Sequence, residues 1–204
     1  MLRAIATALI CAGLAVPALQ ADSVPTFAGI PWGASKAQVL DAAGAANLRV
    51  VGTFGNDVEL EGEVFGAEAT VNALISRTAG LLKVHVRFAA GDRPGQAYAK
   101  VVDALTALYG PTEPVELFKR PYARGDGRED EALLANKAMM IAAWGDERQP
   151  GQAAAVLQAG SQGVILQYES HGWKAESARR QRESSSSGPA FALAVPQAAP
   201  SVGP

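Results

Sequence analysis

Residues 81–88, LLKVHVRF, are the most regular alternating stretch of the chain and decide its fold class. The apolar positions share one face of this segment: Leu82, Val84, Val86 and Phe88. The positions between them carry basic side chains: Lys83, His85 and Arg87. Because successive side chains of a β-strand point to opposite faces, this period of two predicts a strand with one face in a core and the other in water.

Further strands are predicted on the N-terminal side of this segment. Residues 69–75 are mostly apolar, and a short turn at 78–80 connects them to 81–88. Between 58 and 64, valine and leucine alternate with three acidic residues: Glu59, Glu61 and Glu63. Residues 48–51 predict a weaker fourth strand. Connections this short join antiparallel strands, since parallel neighbours need a long crossover.

Two helices are predicted, one on each side of these strands. Ser35 and Gln38 have the three-residue spacing of a capping box. Apolar residues follow at helical spacing, which predicts a helix at about 35–43 that ends at Gly44. A second helix at about 95–109 carries a single apolar stripe, and a Gly-Pro pair ends it.

The C-terminal side of the second helix repeats the strand pattern. An irregular excursion at 112–128 precedes one or two helical turns at 129–136. Strands are then predicted at 138–144, 153–159 and 163–169, from their apolar and β-branched content.

This order of elements predicts the α+β class, with an antiparallel β-sheet packed against two α-helices in a domain over residues 22–171. Two tandem units, each of one helix and three or four strands, stay open as an alternative, with halves at 27–90 and 91–171.

The N-terminus has the pattern of a cleavable signal peptide at 1–21. Arg3 precedes a short apolar segment, and small residues at Ala18 and Ala21 offer two cleavage points. We therefore expect an exported protein, periplasmic or secreted. Cys11, the single cysteine of the chain, lies inside this segment. Removal of the signal peptide would leave a domain without thiols, in which no disulfide or cysteine-ligated metal can form.

The composition excludes several classes of function. The chain has 18 basic and 20 acidic side chains and a formal net charge of −2, which argues against nucleic-acid binding. No phosphate-binding loop or dinucleotide fingerprint occurs, so no cofactor is expected, and the residues do not suggest a metal site. No later apolar run is long enough for stable membrane insertion. Residues 172–204 are rich in serine, alanine and proline at their C-terminal end and predict a disordered tail.

The candidate site is a binding surface on the wet faces of two predicted strands. One row is acidic: Glu59, Glu61 and Glu63. The other row is basic: Lys83, His85 and Arg87. No nucleophile with a nearby histidine emerges from the sequence, so no catalytic residue is assigned.

Several motifs resemble a family of uncharacterised secreted bacterial proteins over about residues 27–170. These are FAGIPWGASKAQVLDAAG at 27–44, GLLKVHVRF at 80–88, AYAKVVDALTALYGP at 97–111 and VILQYES at 164–170. The order of elements also resembles the β-lactamase-inhibitor protein and the small lipoprotein of the β-barrel assembly machinery. This resemblance implies a non-catalytic module that acts through a protein-binding face. The matched positions are caps and core, so no functional residue is carried over.

We therefore expect an exported, non-enzymatic binding or accessory module of the bacterial envelope, with another envelope protein as its partner. A periplasmic carrier of small molecules or lipids, and an enzyme that uses carboxylate chemistry, stay open as alternatives. The oligomeric state is not predicted from the sequence.

Overall fold

The computed structural model of the chain describes residues 26–145 and 154–186. Within these ranges, eight strands form one antiparallel sheet in the order β1-β2-β3-β4-β8-β7-β6-β5. The strands are β1 Arg49–Phe54, β2 Asp57–Val64, β3 Ala67–Ser76, β4 Gly80–Phe88, β5 Val115–Phe118, β6 Ala138–Trp144, β7 Ala154–Gly160 and β8 Gly163–Glu169. The predicted signal peptide at 1–21 lies outside the described residues.

In the described part of the chain, four helices accompany the sheet: α1 Lys36–Ala45, α2 Pro94–Tyr109, α3 Glu129–Leu134 and α4 Trp173–Ser186. The buried side chains of the first three join the inward positions of the strands in one hydrophobic core. The predicted fold class, an α+β domain with an antiparallel sheet and helices packed on it, is confirmed.

The capping box at the start of α1 is present as predicted. The Ser35 side chain accepts a hydrogen bond from the Gln38 amide, and the Gln38 side chain accepts one from the Ser35 amide. The helix continues through Gly44, however, and the left-handed residue beyond it is Asn47, with φ 57°. Asparagine tolerates this conformation better than most residues, so it takes the position that the sequence had suggested for glycine.

The pairing of β4 with β8 joins the two halves of the sheet at its centre, with Val84 opposite Tyr168. The Tyr168 ring packs edge-on against Phe27, with ring centroids 6.0 Å apart, and against Tyr109 at 6.5 Å. On either side of this central pairing lies a helix followed by four strands, with α3 inserted in the second set. The tandem-unit alternative, with halves at 27–90 and 91–171, stays a prediction.

The edges of the sheet differ from its centre. At one edge, a β-bulge between Val50 and Gly52 interrupts the pairing of β1 with β2. At the other edge lies β5, a strand of four residues paired with β6. This strand corrects the expectation of an irregular excursion throughout 112–128. The prolines around it obscured a short alternating segment that gains its order from pairing with β6.

The helix α4 corrects the expectation of a disordered tail over its residues, while 187–204 lie outside the described residues. That expectation rested on the lack of apolar surface, but α4 is held by charges. Arg180 donates hydrogen bonds to Asp57 and Glu176, and Glu176 is itself buried. Charge-assisted hydrogen bonds to partners distant in sequence stabilise α4, although the segment has little apolar surface to bury.

Candidate functional site

One face of the sheet is left open by the helix layer. The helices α1, α2 and α3 pack on the inward positions of the strands, so the alternate positions form the opposite surface, here called the open face. All six residues of the predicted binding surface occupy these alternate positions: Glu59, Glu61, Glu63, Lys83, His85 and Arg87. The period-two pattern of β2 and β4 therefore places their side chains on the open face.

The strand β3 lies between the acidic and the basic row. The register aligns Glu59 with Asn72 and Asn72 with His85, so these three residues form one line across the sheet. Because neighbouring strands lie about 4.8 Å apart, the two predicted rows are separated by roughly 10 Å of backbone. Direct ion pairs between aligned members of the two rows would have to bridge β3.

Glu61 and Arg87 line the same cleft on the open face. This cleft has a volume of about 340 Å³, and Thr70 of β3 lies between the two charges in the strand register. Arg49 also reaches Glu61, with its Nη2 2.6 Å from Oε2. Both side chains of that pair are largely exposed, and such pairs contribute little to stability. Glu61 and Arg87 thus remain accessible to a partner.

Lys83 is held within the protein more firmly than the sequence suggested. Its Nζ donates to Glu169 at 2.6 Å and to Gln167 at 2.7 Å, and lies 5.1 Å from the centre of the Trp173 ring. Only 14% of its side chain is exposed. Lys83 therefore organises the border between the open face and α4, and offers little free charge to a partner.

His85 lines a second cleft of about 420 Å³ on the open face. The polar side chains around it are neutral and mostly amides: Asn136, Gln158, Ser161, Gln162 and Gln167. Burial lowers the pKa of His85 below its usual 6.5, and the positive charges of Lys83 and Arg87 lower it further. The imidazole is therefore neutral at physiological pH and can both donate and accept a hydrogen bond.

The half of the open face formed by β5 to β8 carries apolar side chains that the sequence did not point to: Met139, Ile141, Val156 and Ile165. Gln158 and Gln167 lie among them on the same face. At the edge of this half, Val115 and Leu117 are 55% and 52% exposed. Only Glu116 interrupts the apolar residues of this strand, and four residues are too few for a firm strand prediction.

Within residues 26–145 and 154–186, no three histidine, cysteine or acidic side chains are arranged to hold a metal ion. No helix among these residues combines the length and the apolar character needed to cross a bilayer. Comparison of the chain with protein-family models gives no match, and no curated protein is significantly similar to it in sequence.

Proposed function

We propose that this chain is an exported binding module of the bacterial envelope, and that its open face binds a partner protein. The observation that carries the proposal is the width of this face, which extends over eight strands and which α1, α2 and α3 leave open, whereas α4 contacts its border at Lys83 and Asp57. The resemblance in element order to the β-lactamase-inhibitor protein also supports a protein partner.

The size of the open face fits a protein better than a small ligand. Seven inter-strand spacings of about 4.8 Å make it roughly 34 Å wide, and strands of about seven residues make it about 22 Å long. Its area of roughly 700 Å² is close to the ~800 Å² that one partner contributes to an interface of standard size. The two clefts on this face would accept individual side chains of the partner.

The chemistry of the open face is divided between its two halves. Around β2 and β4, charged residues such as Glu61 and Arg87 would set the orientation of a partner. On the other half, apolar residues such as Ile141 and Ile165 would supply buried area. A partner with an apolar patch beside complementary charges is therefore expected.

A crosslinking experiment in the native envelope tests this proposal. A photoactivatable residue at Thr70 or Ile165 on the open face should give a discrete adduct with one protein. The same residue at Asp41, an exposed position of α1 on the helix side, should not. Arg87→Glu should remove the adduct, while Arg77→Glu in the exposed β3–β4 turn should preserve it. Equal adducts from Asp41 and Ile165, or none from the open face, would contradict the proposal.

A further inference from the structure

A cavity of about 400 Å³ lies on the helix side of the sheet, between α2, α3 and the β5–β6 edge. Its apolar wall includes Val102 of α2 and Met140 of β6, and Pro114 closes one side. Met140 points into the core, whereas its neighbour Met139 lies on the open face. The cavity and the open face are therefore separate sites on opposite sides of the sheet.

Four carboxylates from three elements line this cavity: Asp103, Glu116, Glu129 and Asp130. Among the described residues that line it, none is a lysine, arginine or histidine. Arg124 pairs with Glu116 from outside, with Nε 2.9 Å from Oε2, but 77% of the Arg124 side chain is exposed. Arg124 offsets part of the charge of Glu116, whose side chain is only 19% exposed. The three other carboxylates leave the cavity with a negative potential that favours a cation.

Two of these carboxylates are fixed in place by backbone amides. Asp130 accepts a hydrogen bond from the Gly95 amide at 2.6 Å, and Glu129 accepts one from the Gly125 amide at 2.9 Å. Each of these carboxylates still has lone pairs for a further donor, because a carboxylate accepts up to about four hydrogen bonds. Acceptors that are already positioned lose little entropy when a ligand binds.

Tyr98 supplies an independent sign of a ligand. Its side chain lines the cavity and is only 4% exposed, and no described residue hydrogen-bonds to its hydroxyl. Buried hydroxyls almost always have a partner, because an unpaired one loses its hydration without compensation. Burial raises the pKa of Tyr98 to about 12, and the negative charge of Glu116 acts in the same direction. The phenol is therefore protonated at physiological pH and keeps both its donor and its acceptor.

We propose that this cavity binds a small aliphatic amine of the diamine or polyamine class. The ammonium groups would donate to the carboxylates and to the Tyr98 hydroxyl oxygen, and the methylene chain would lie against Val102 and Met140. The volume is at the lower end of the range for small-molecule sites, as such a ligand requires. An organic cation fits better than a metal ion, because no three acidic side chains among the described residues converge to metal-ligand geometry.

An NMR titration of the full chain tests this inference with three probes of similar reach. The diamine 1,5-diaminopentane should bind saturably and shift the amide signals of Gly95 and Ala99, which line the cavity. The matched neutral molecule 1,5-pentanediol should bind at least tenfold more weakly, because it lacks the charge. Calcium chloride should not shift these signals at equal concentration.

Two variants assign the binding to named groups. Tyr98→Phe and Glu116→Gln should each weaken diamine binding about tenfold, since each removes a hydrogen bond to a charged ligand. Glu61→Gln, which removes a carboxylate from the open face, should leave the affinity unchanged and serves as the control. If the diol binds as tightly as the diamine, if calcium binds in preference, or if Tyr98→Phe leaves the affinity unchanged, the inference is wrong.

Discussion

Arg180 of α4 contacts Asp57, the first residue of β2, across 123 positions of sequence, with its Nη1 2.6 Å from Oδ2. The same guanidinium donates to the Ile75 carbonyl at 3.2 Å, and Asp57 accepts from the Ile75 amide at 2.7 Å. One ion pair therefore connects the C-terminal helix to two strands of the N-terminal half. This ion pair explains why α4 is ordered although its residues are mostly polar.

Arg180→Ala should release α4 from the sheet. Both members of the pair are about three-quarters buried, so we expect a loss of about 1–2 kcal/mol in the free energy of unfolding. Hydrogen exchange should accelerate across Trp173–Ser186 and stay unchanged in β6. Arg182→Ala is the matched control, because Arg182 is exposed and donates to the Ala178 carbonyl of its own helix. Equal acceleration in both variants would contradict this role of Arg180.

The stability of α4 should depend on pH through Glu176. Hydrogen bonds from Arg179 and then Arg180 lower the pKa of Glu176 to about 2, against an ordinary value of 4.5. A carboxyl whose pKa is lowered by folding stabilises the protein above its unfolded pKa. That stability is lost as the pH falls through the folded pKa. Amide protection in α4 should therefore decline between about pH 4.5 and 2, and Glu176→Gln should flatten this decline. An unchanged profile in the variant would assign the effect to other groups.

Gly80 should tolerate no side chain. It has φ +67°, and a Cβ built on it would lie 2.0 Å from the Gly33 carbonyl oxygen. This close approach accompanies the hydrogen bonds between Gly33 and Leu81 and between Leu81 and Ala34, which fix the start of α1 to β4. Gly80→Ala should lower the free energy of unfolding, measured in urea, by about 3–4 kcal/mol. The alanine would have to adopt a strained dihedral angle, and the neighbouring backbone would also have to move. Gly55→Ala, at φ +63° with open space around it, should cost only about 1 kcal/mol.

Tyr98→Phe should leave the protein without ligand as stable as the wild type, or stabilise it by about 1 kcal/mol, because the hydroxyl it removes has no partner among the described residues. Thermal unfolding of both proteins in ligand-free buffer checks this expectation. A loss of more than about 1 kcal/mol would show that the hydroxyl has a structural role.

Much of the fold follows from the sequence because its signals are local. The alternation in LLKVHVRF sets the faces of β4, and the spacing of Ser35 and Gln38 sets the start of α1. By contrast, α4 depends on Asp57, which is distant in sequence, so composition alone predicted disorder. The short strand β5 likewise gains its order from β6.

The candidate site is likewise predicted from local patterns in part, and depends in part on contacts between residues distant in sequence. Period-two alternation placed Glu61, His85 and Arg87 on the open face, and the structure brings Glu61 and Arg87 into one cleft. The pairing of Lys83 with Glu169 depends on the meeting of β4 and β8, which no local pattern encodes. Tyr98 reads in the sequence as one member of an apolar helix stripe. Only the tertiary structure reveals that its hydroxyl is buried without a partner among the described residues, and that its side chain lines the same cavity as four carboxylates.

The bulge at Val50 and Gly52 has a consequence for the behaviour of the protein at high concentration. An exposed outer strand offers its unpaired amides and carbonyls as a template on which a second molecule can add a strand. The β-bulge in β1 interrupts the regular spacing of amides and carbonyls that such pairing needs. At the opposite edge of the sheet, β5 is only four residues long. The sheet therefore protects both of its margins against edge-to-edge growth into fibrils.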